Sequence, residues 1–183
     1  MRPAPSPLFS LLLAACCAAA QDPFDPTPEP QAAEIFYSLH NGKLLPLERE
    51  IPIFRSHAAG FVVMTTRSVR EIPGPKSPVR FHSEERLDFI VRSALKLDSA
   101  DPNTIYCVRR LDRKKATREL VLSTGRITPA GGTSKMDPME GVVPAEFSQY
   151  GDHSLKVTAG PLPPGEYAVG RLYGAALFCF GVD

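Results

Sequence analysis

From Glu34 onward the chain alternates short apolar runs with turn residues, and the period is that of β-strands. Ile35-Phe36-Tyr37-Ser38-Leu39 is followed by His40-Asn41-Gly42-Lys43 and then by Leu44-Leu45-Pro46-Leu47-Glu48. Asn-Gly accepts positive φ at both central positions of a two-residue turn, so this stretch predicts a hairpin. Pro46 has no N–H to donate, which puts its strand at an edge or at a gap in the bonding. Phe61-Val62-Val63-Met64-Thr65-Thr66 is apolar at successive positions and predicts a strand between two covered layers. Tyr106-Cys107-Val108-Arg109 and Glu119-Leu120-Val121-Leu122 flank the polar run from Asp112 to Thr117, a second hairpin. Ala130-Gly131-Gly132-Thr133-Ser134-Lys135 reads as a mobile loop. Later runs at Val142-Val143, Phe147, Leu155 to Thr158, Tyr167-Ala168-Val169 and Leu177 to Val182 complete the set.

Residues 83–97 carry two signals. Leu87, Ile90, Val91 and Ala94 recur at helical spacing behind a capping Ser83, whereas Phe89-Ile90-Val91 is β-prone. The β signal gives a strand over Leu87 to Arg92. The frame is then all-β, an antiparallel sandwich or barrel of eight or nine strands.

Leu162-Pro163-Pro164-Gly165-Glu166-Tyr167 resembles the turn that leads into the tyrosine-bearing late strand of immunoglobulin-like sandwiches. That resemblance implies a single sandwich in which the Tyr167 hydroxyl bonds back to nearby backbone, with Gly165 supplying the turn. The chain has no tryptophan, so the Cys…Trp…Cys pattern of antibody domains is absent. The ending, Pro163-Pro164-Gly165-Glu166-Tyr167 through Phe178-Cys179-Phe180-Gly181-Val182-Asp183, also resembles endings of exported bacterial proteins of unknown function. It implies a fold and a compartment and carries no activity.

The amino terminus speaks to the compartment directly. Arg2, the apolar Leu8-Phe9-Ser10-Leu11-Leu12-Leu13 and the small Ala18-Ala19-Ala20 form an export signal over residues 1–20, cleaved between Ala20 and Gln21. Leu13-Ala14-Ala15-Cys16 equally resembles a bacterial lipoprotein signal, in which Cys16 is acylated and becomes the first residue. The apolar run is too short to span a bilayer under either reading. Residues 21–33, with Pro23, Pro26, Pro28 and Pro30, read as a disordered spacer before a domain at 34–183. The expected location is periplasmic, cell-surface or secreted.

Charge narrows the partners. The 21 Lys plus Arg and 20 Asp plus Glu of the whole chain become 20 against 20 once residues 1–20 take Arg2 away. A neutral chain lacks the basic surface that nucleic-acid binding requires. Asp112 and Glu119 interleave with Arg109-Arg110 and Arg113-Lys114-Lys115, which reads as the solvated end of a hairpin. Cys107 and Cys179 remain after processing. Outside the cytoplasm they are a disulfide candidate, and within apolar strands each also reads as a free filler.

Catalytic motifs are missing: there is no G-x-S-x-G, H-E-x-x-H, C-x-x-C or Walker loop. Glu84-Glu85 would point to different faces of any regular element and reads as surface charge. His40, His57, His82 and His153 stand in or beside loops, and no pair has chelating spacing, so neither a metal nor a cofactor is expected. Small copper-carrier sandwiches resemble this chain only at the late tyrosine turn, and their N-terminal histidine has no counterpart at Gln21. The reading is a non-enzymatic binding or structural accessory module whose partner is an unknown envelope or extracellular protein or polymer. A loop-built enzyme or ligand-carrier site is the alternative, with His57, His82, Glu84 and Asp152 as its residues. A third reading is a surface subunit that assembles through an unpaired strand edge.

Overall fold

A computed structural model describes residues 28–94 and 101–183. Cys16, the junction between Ala20 and Gln21 and most of the proline-rich spacer lie outside the described residues. What is described is all-β, with fifteen strands, one 3₁₀ turn at Pro102–Thr104 and no α-helix. The first hairpin is β1 (Phe36–His40) with β2 (Lys43–Pro46), followed by β3 (Glu48–Glu50). A longer hairpin joins β4 (Ile53–Ala59) to β5 (Met64–Pro73), and β6 (Arg80–Phe81) and β7 (Leu87–Arg92) come next. Then β8 (Tyr106–Arg113), β9 (Thr117–Thr128) and β10 (Gly131–Met136) run back and forth. The chain closes with β11 (Val142–Val143), β12 (Ala145–Tyr150), β13 (Ser154–Ala159), β14 (Gly165–Arg171) and β15 (Leu177–Val182).

Two sheets result. The smaller has the order β12-β13-β7-β1-β2. The larger runs β3-β15-β14-β8-β9-β5-β4, with β10 beside β9, β11 beside β8 and β6 beside β15. Antiparallel pairing holds throughout both orders, and β6 joins β15 in parallel. Between the sheets lies the main core: Phe36, Phe89 and Val157 of the smaller sheet meet Val108, Tyr167 and Phe180 of the larger. Phe89 and Phe180 approach to 4.8 Å between ring centroids, and Tyr167 stacks on Phe180 at 5.6 Å. The Tyr167 hydroxyl donates to the Pro163 carbonyl at 2.7 Å. Gly165 opens β14 as a strand residue, and the left-handed glycine of this corner is Gly160, at φ 100°.

The larger sheet curls into a half-barrel with a core of its own. Ile72, Leu111, Leu120, Ala168, Leu177 and Cys179 fill its concave side. Register places Glu48 opposite Cys179, Cys179 opposite Ala168, and Arg118 opposite Ile72, so all of these share that side. Arg118 is 0% exposed and reaches across the interior to β3. Its guanidinium donates to both Glu48 oxygens, at 2.7 and 3.0 Å, and to the Pro73 and Gly74 carbonyls, at 3.0 and 3.1 Å. Burial disfavours this cation, but Glu48, with Cys179 and Glu166 nearby, holds its pKa above the ordinary arginine value.

Several expectations meet their outcome here. The Asn41-Gly42 hairpin forms, with φ of 50° and 72°, and Pro46 lies in the outermost strand of the smaller sheet. The strand at Leu87–Arg92 forms with those bounds. Fifteen strands replace the eight or nine expected, among them β3 and β4, which no apolar run marked. The expected loop at 130–135 is instead β10, paired to β9 from Gly131 to Met136. Phe61 is fully exposed at the bend between β4 and β5 rather than buried between layers. Cys107 and Cys179 are free and buried, so no disulfide joins them. They sit on β8 and β15 with β14 between, two strand spacings of about 4.8 Å apart, which is beyond disulfide reach. Burial pushes the Cys179 thiol up to about 12.

The end of the expected spacer is docked on the domain. Glu29 accepts hydrogen bonds from the backbone N–H groups of Asp152 and His153 and from Ser154 Oγ, at 2.5, 3.2 and 2.7 Å. Gly151 makes room for it: a Cβ there would lie 1.9 Å from Glu29 Oε1.

Two expected outcomes follow from these contacts. Arg118→Met strands Glu48 as a partly buried, uncompensated charge, so urea unfolding should show a loss of about 3 kcal/mol, much of it recovered by adding Glu48→Leu. Burial opposes ionisation of Glu29, but the Ser154, Asp152 and His153 bonds prevail and hold its pKa below the ordinary value. Its clamp is therefore complete above the unfolded-state pKa and lost as pH falls through the lowered one. Glu29→Gln should speed amide exchange of Asp152 and His153 at neutral pH without altering exchange in β14.

Candidate interaction surface

The larger sheet does not end at the half-barrel wall. The amino-terminal half of β5 and the carboxy-terminal half of β9 continue past it, flanked by β4 and β10, as a four-stranded arm of order β4-β5-β9-β10. Every residue of β4 and β10 is exposed. Arm and barrel meet at a β-bulge, where pairing shifts between Ser68 and Val69 of β5. Gly125 lets the arm strands close up, since a Cβ there would lie 2.5 Å from Thr66 Oγ1 and 3.1 Å from the Thr133 carbonyl.

The two faces of the arm differ in kind. Register puts Phe54, Met64, Ile127 and Met136 on one face, among the small residues Ser56, Ala58, Thr66, Ser68, Ser123, Gly125, Gly132 and Ser134. Arg70, opposite Phe54 at the base of this face, donates to the Ala175 carbonyl, and beyond it none of these residues is charged. Phe54 is 63% and Met136 76% exposed. An uncharged, partly apolar sheet face open to solvent is the kind of surface that marks an interaction site.

The opposite face is ionic where it joins the barrel. Asp112, Glu119 and Glu71 stand directly opposite one another on β8, β9 and β5. Like charges so placed repel, and three cations answer them. Arg67 bonds Asp112 and lies 3.3 Å from Glu119, Lys114 lies 3.9 Å from both, and Arg55 lies 4.0 Å from Glu71. His57 joins Glu71 and Glu119, with the nearest nitrogen and oxygens all within 4.8 Å of one another. One imidazole and two carboxylates are zinc-type donors, but the Arg67 guanidinium already occupies Glu119. The cluster works as a salt-bridged cover over Val69, which is fully buried beneath it.

The remaining residues singled out in the sequence do not join His57. His82 follows β6 near Asp183, Glu84 is exposed in the turn before β7, and Asp152 lies in the β12–β13 turn. His40 is at the first hairpin and His153 beside Asp152, so no described site gathers two histidines. One described cleft, about 660 Å³, is lined by Glu34, Arg49, Arg171 and Tyr173 among others. In it Glu34, at φ 61°, accepts from the Ala94 N–H and the Tyr106 hydroxyl, both at 2.9 Å. Burial pushes that Tyr106 hydroxyl up to about 12. The arm itself escaped sequence reasoning. Its only sequence signal was the apolar run at Phe61, which belongs to the arm's tip rather than to a core.

No family model matches this chain, and no curated protein or solved structure matches it either.

Because Phe54 and Met136 are mostly exposed, the double variant F54S/M136S should unfold within about 0.5 kcal/mol of the parent. It should also bind markedly less of a hydrophobic fluorescent dye at equal concentration, which titration of the dye checks.

Proposed function

We propose that this chain is an exported, non-enzymatic binding and structural accessory module of the cell envelope or exterior, with the arm as its contact surface. The observation that carries this reading is the arm's uncharged face, held in solvent on a framework whose cores lie elsewhere. The signal pattern of residues 1–20 supports export, and Cys16 offers a second route, by acylation, to a tethered form. No helix among the described residues is long and apolar enough to cross a membrane. The two-sheet half that carries the Tyr167–Pro163 bond is read as immunoglobulin-like, and the arm and half-barrel as additions to it.

The partner is a protein that supplies an extended strand to the open edge of β4. Such strand addition draws affinity from main-chain hydrogen bonds and specificity from alternate side chains. Dispersal of the four histidines and of Glu84 and Asp152 favours binding over chemistry.

A photo-cross-linking residue at Ser56, in the native host, should trap a protein neighbour that the same residue at Lys115 does not. Intact mass of the exported chain should begin at Gln21 or at an acylated Cys16. Equal trapping at both positions overturns the contact surface, and an unprocessed intracellular chain overturns export.

A further inference from the structure

We infer that the strand received by β4 is β4 of a second copy, so that two chains pair edge to edge about a two-fold axis through Ser56. This rests on the reading of the arm as the contact surface and names its partner. The edge offers a full run of seven exposed residues, Ile53–Ala59, outermost in its sheet. Protein edges are ordinarily guarded by proline, lysine or brevity. Of the smaller sheet's two outer strands, β2 has Pro46 and Lys43 in four residues and β12 has neither in six; Ile53–Ala59 also has neither, and is longer than both.

An antiparallel pair of identical strands can be centred only on a residue that meets itself, because hydrogen-bonding positions alternate along the edge. Centring on Arg55 sets guanidinium against guanidinium, which is repulsive, and pairs only five residues within the strand. Centring on His57 also pairs only five. Centring on Ser56 pairs all seven, and the pairs are complementary in size. Phe54 meets Ala58 of the second copy, Ile53 meets Ala59, and Ser56 meets Ser56. Each bulky exposed side chain thus packs over a methyl group, twice by symmetry. Arg55 meets His57, and the Glu71 carboxylates of both copies flank that pair, each already 4.0 Å from its own Arg55.

The product is one continuous sheet across two chains, with the uncharged arm faces joined side by side. A single ladder of seven residues is a small interface, so association belongs to the weak, concentration-dependent class. Each partner's β4 closes the other's edge, and growth stops at two.

Sedimentation equilibrium of the mature chain, from about 1 to about 300 μM, tests this across the range expected of a small interface. Weight-average mass should rise from one chain towards two and go no further. S56P should remain a single chain throughout. Because a proline could also disturb β4 itself, S56C provides the independent measure. Under mild oxidation it should form a disulfide-linked dimer at least tenfold faster than K115C, with Cys107 and Cys179 silent in their buried sites. A chain that stays single at 300 μM, with S56C no faster than K115C, overturns the dimer. Continued growth past two chains overturns the closed pair in favour of a fibre. If the dimer fails while Ser56 still traps a different protein in the host, the contact surface stands and only its occupant changes. If both fail, the arm is not a contact surface.

Discussion

A ten-stranded sheet that curls without closing needs something other than a hydrogen-bond ladder to fix its curvature, and here Arg118 does so. Its side chain spans the concave interior from β9 to Glu48 on β3, at the far end of the strand order. Two further bonds, to the Pro73 and Gly74 carbonyls, occupy the rest of the guanidinium fork at the end of β5. A bidentate arginine–carboxylate pair is directional, so it fixes the separation of the two walls where packing alone would tolerate a range. Ile72, Leu120 and Cys179 then pack at the spacing it sets. The arm is an extension of that wall, and its direction inherits the same constraint.

Much of the fold was legible because its causes were local. Asn41-Gly42 needs only its own backbone freedom to make a turn. Tyr167 finds its acceptor four residues back, and Phe89-Ile90-Val91 declares a strand against a competing helical spacing. What was hidden depends on distance. Arg118 carried no local signal, because its partner lies seventy positions earlier. Gly131-Gly132-Thr133-Ser134 has a loop's composition and becomes a strand only because β9 offers it an edge. Phe61-Val62-Val63 reads as core by hydrophobicity, and nothing local reports that the layers meant to cover it are absent. The ionic cover over Val69 is hidden for the same reason, since its acids come from three strands.

The chain also manages its exposed edges unevenly. One outer strand of the smaller sheet, β2, is short and carries a proline; the other, β12, has six residues without one, and the turn after it is pinned by Glu29. The outer strand of the larger sheet is longer and open, at the margin of the uncharged face. Proline and brevity guard β2 and are withheld from β4, the longest of these outer strands, which fits a contact reserved rather than a defect tolerated.

The bulge at the base of the arm has a consequence for parity. Strict alternation along β9 from Arg118 would carry Leu120, Leu122, Thr124 and Arg126 down one side of the ribbon. At the bulge β9 advances two residues, from Val121 to Ser123, while β5 advances one, from Val69 to Ser68. Leu122, packed against the half-barrel core, absorbs the difference. Beyond it the count is inverted, so Ile127 takes the side that Arg126 would have held. The neutrality of the arm's open face is thus set by arithmetic, by one supernumerary residue at its root, and not by the composition of the strand that carries it.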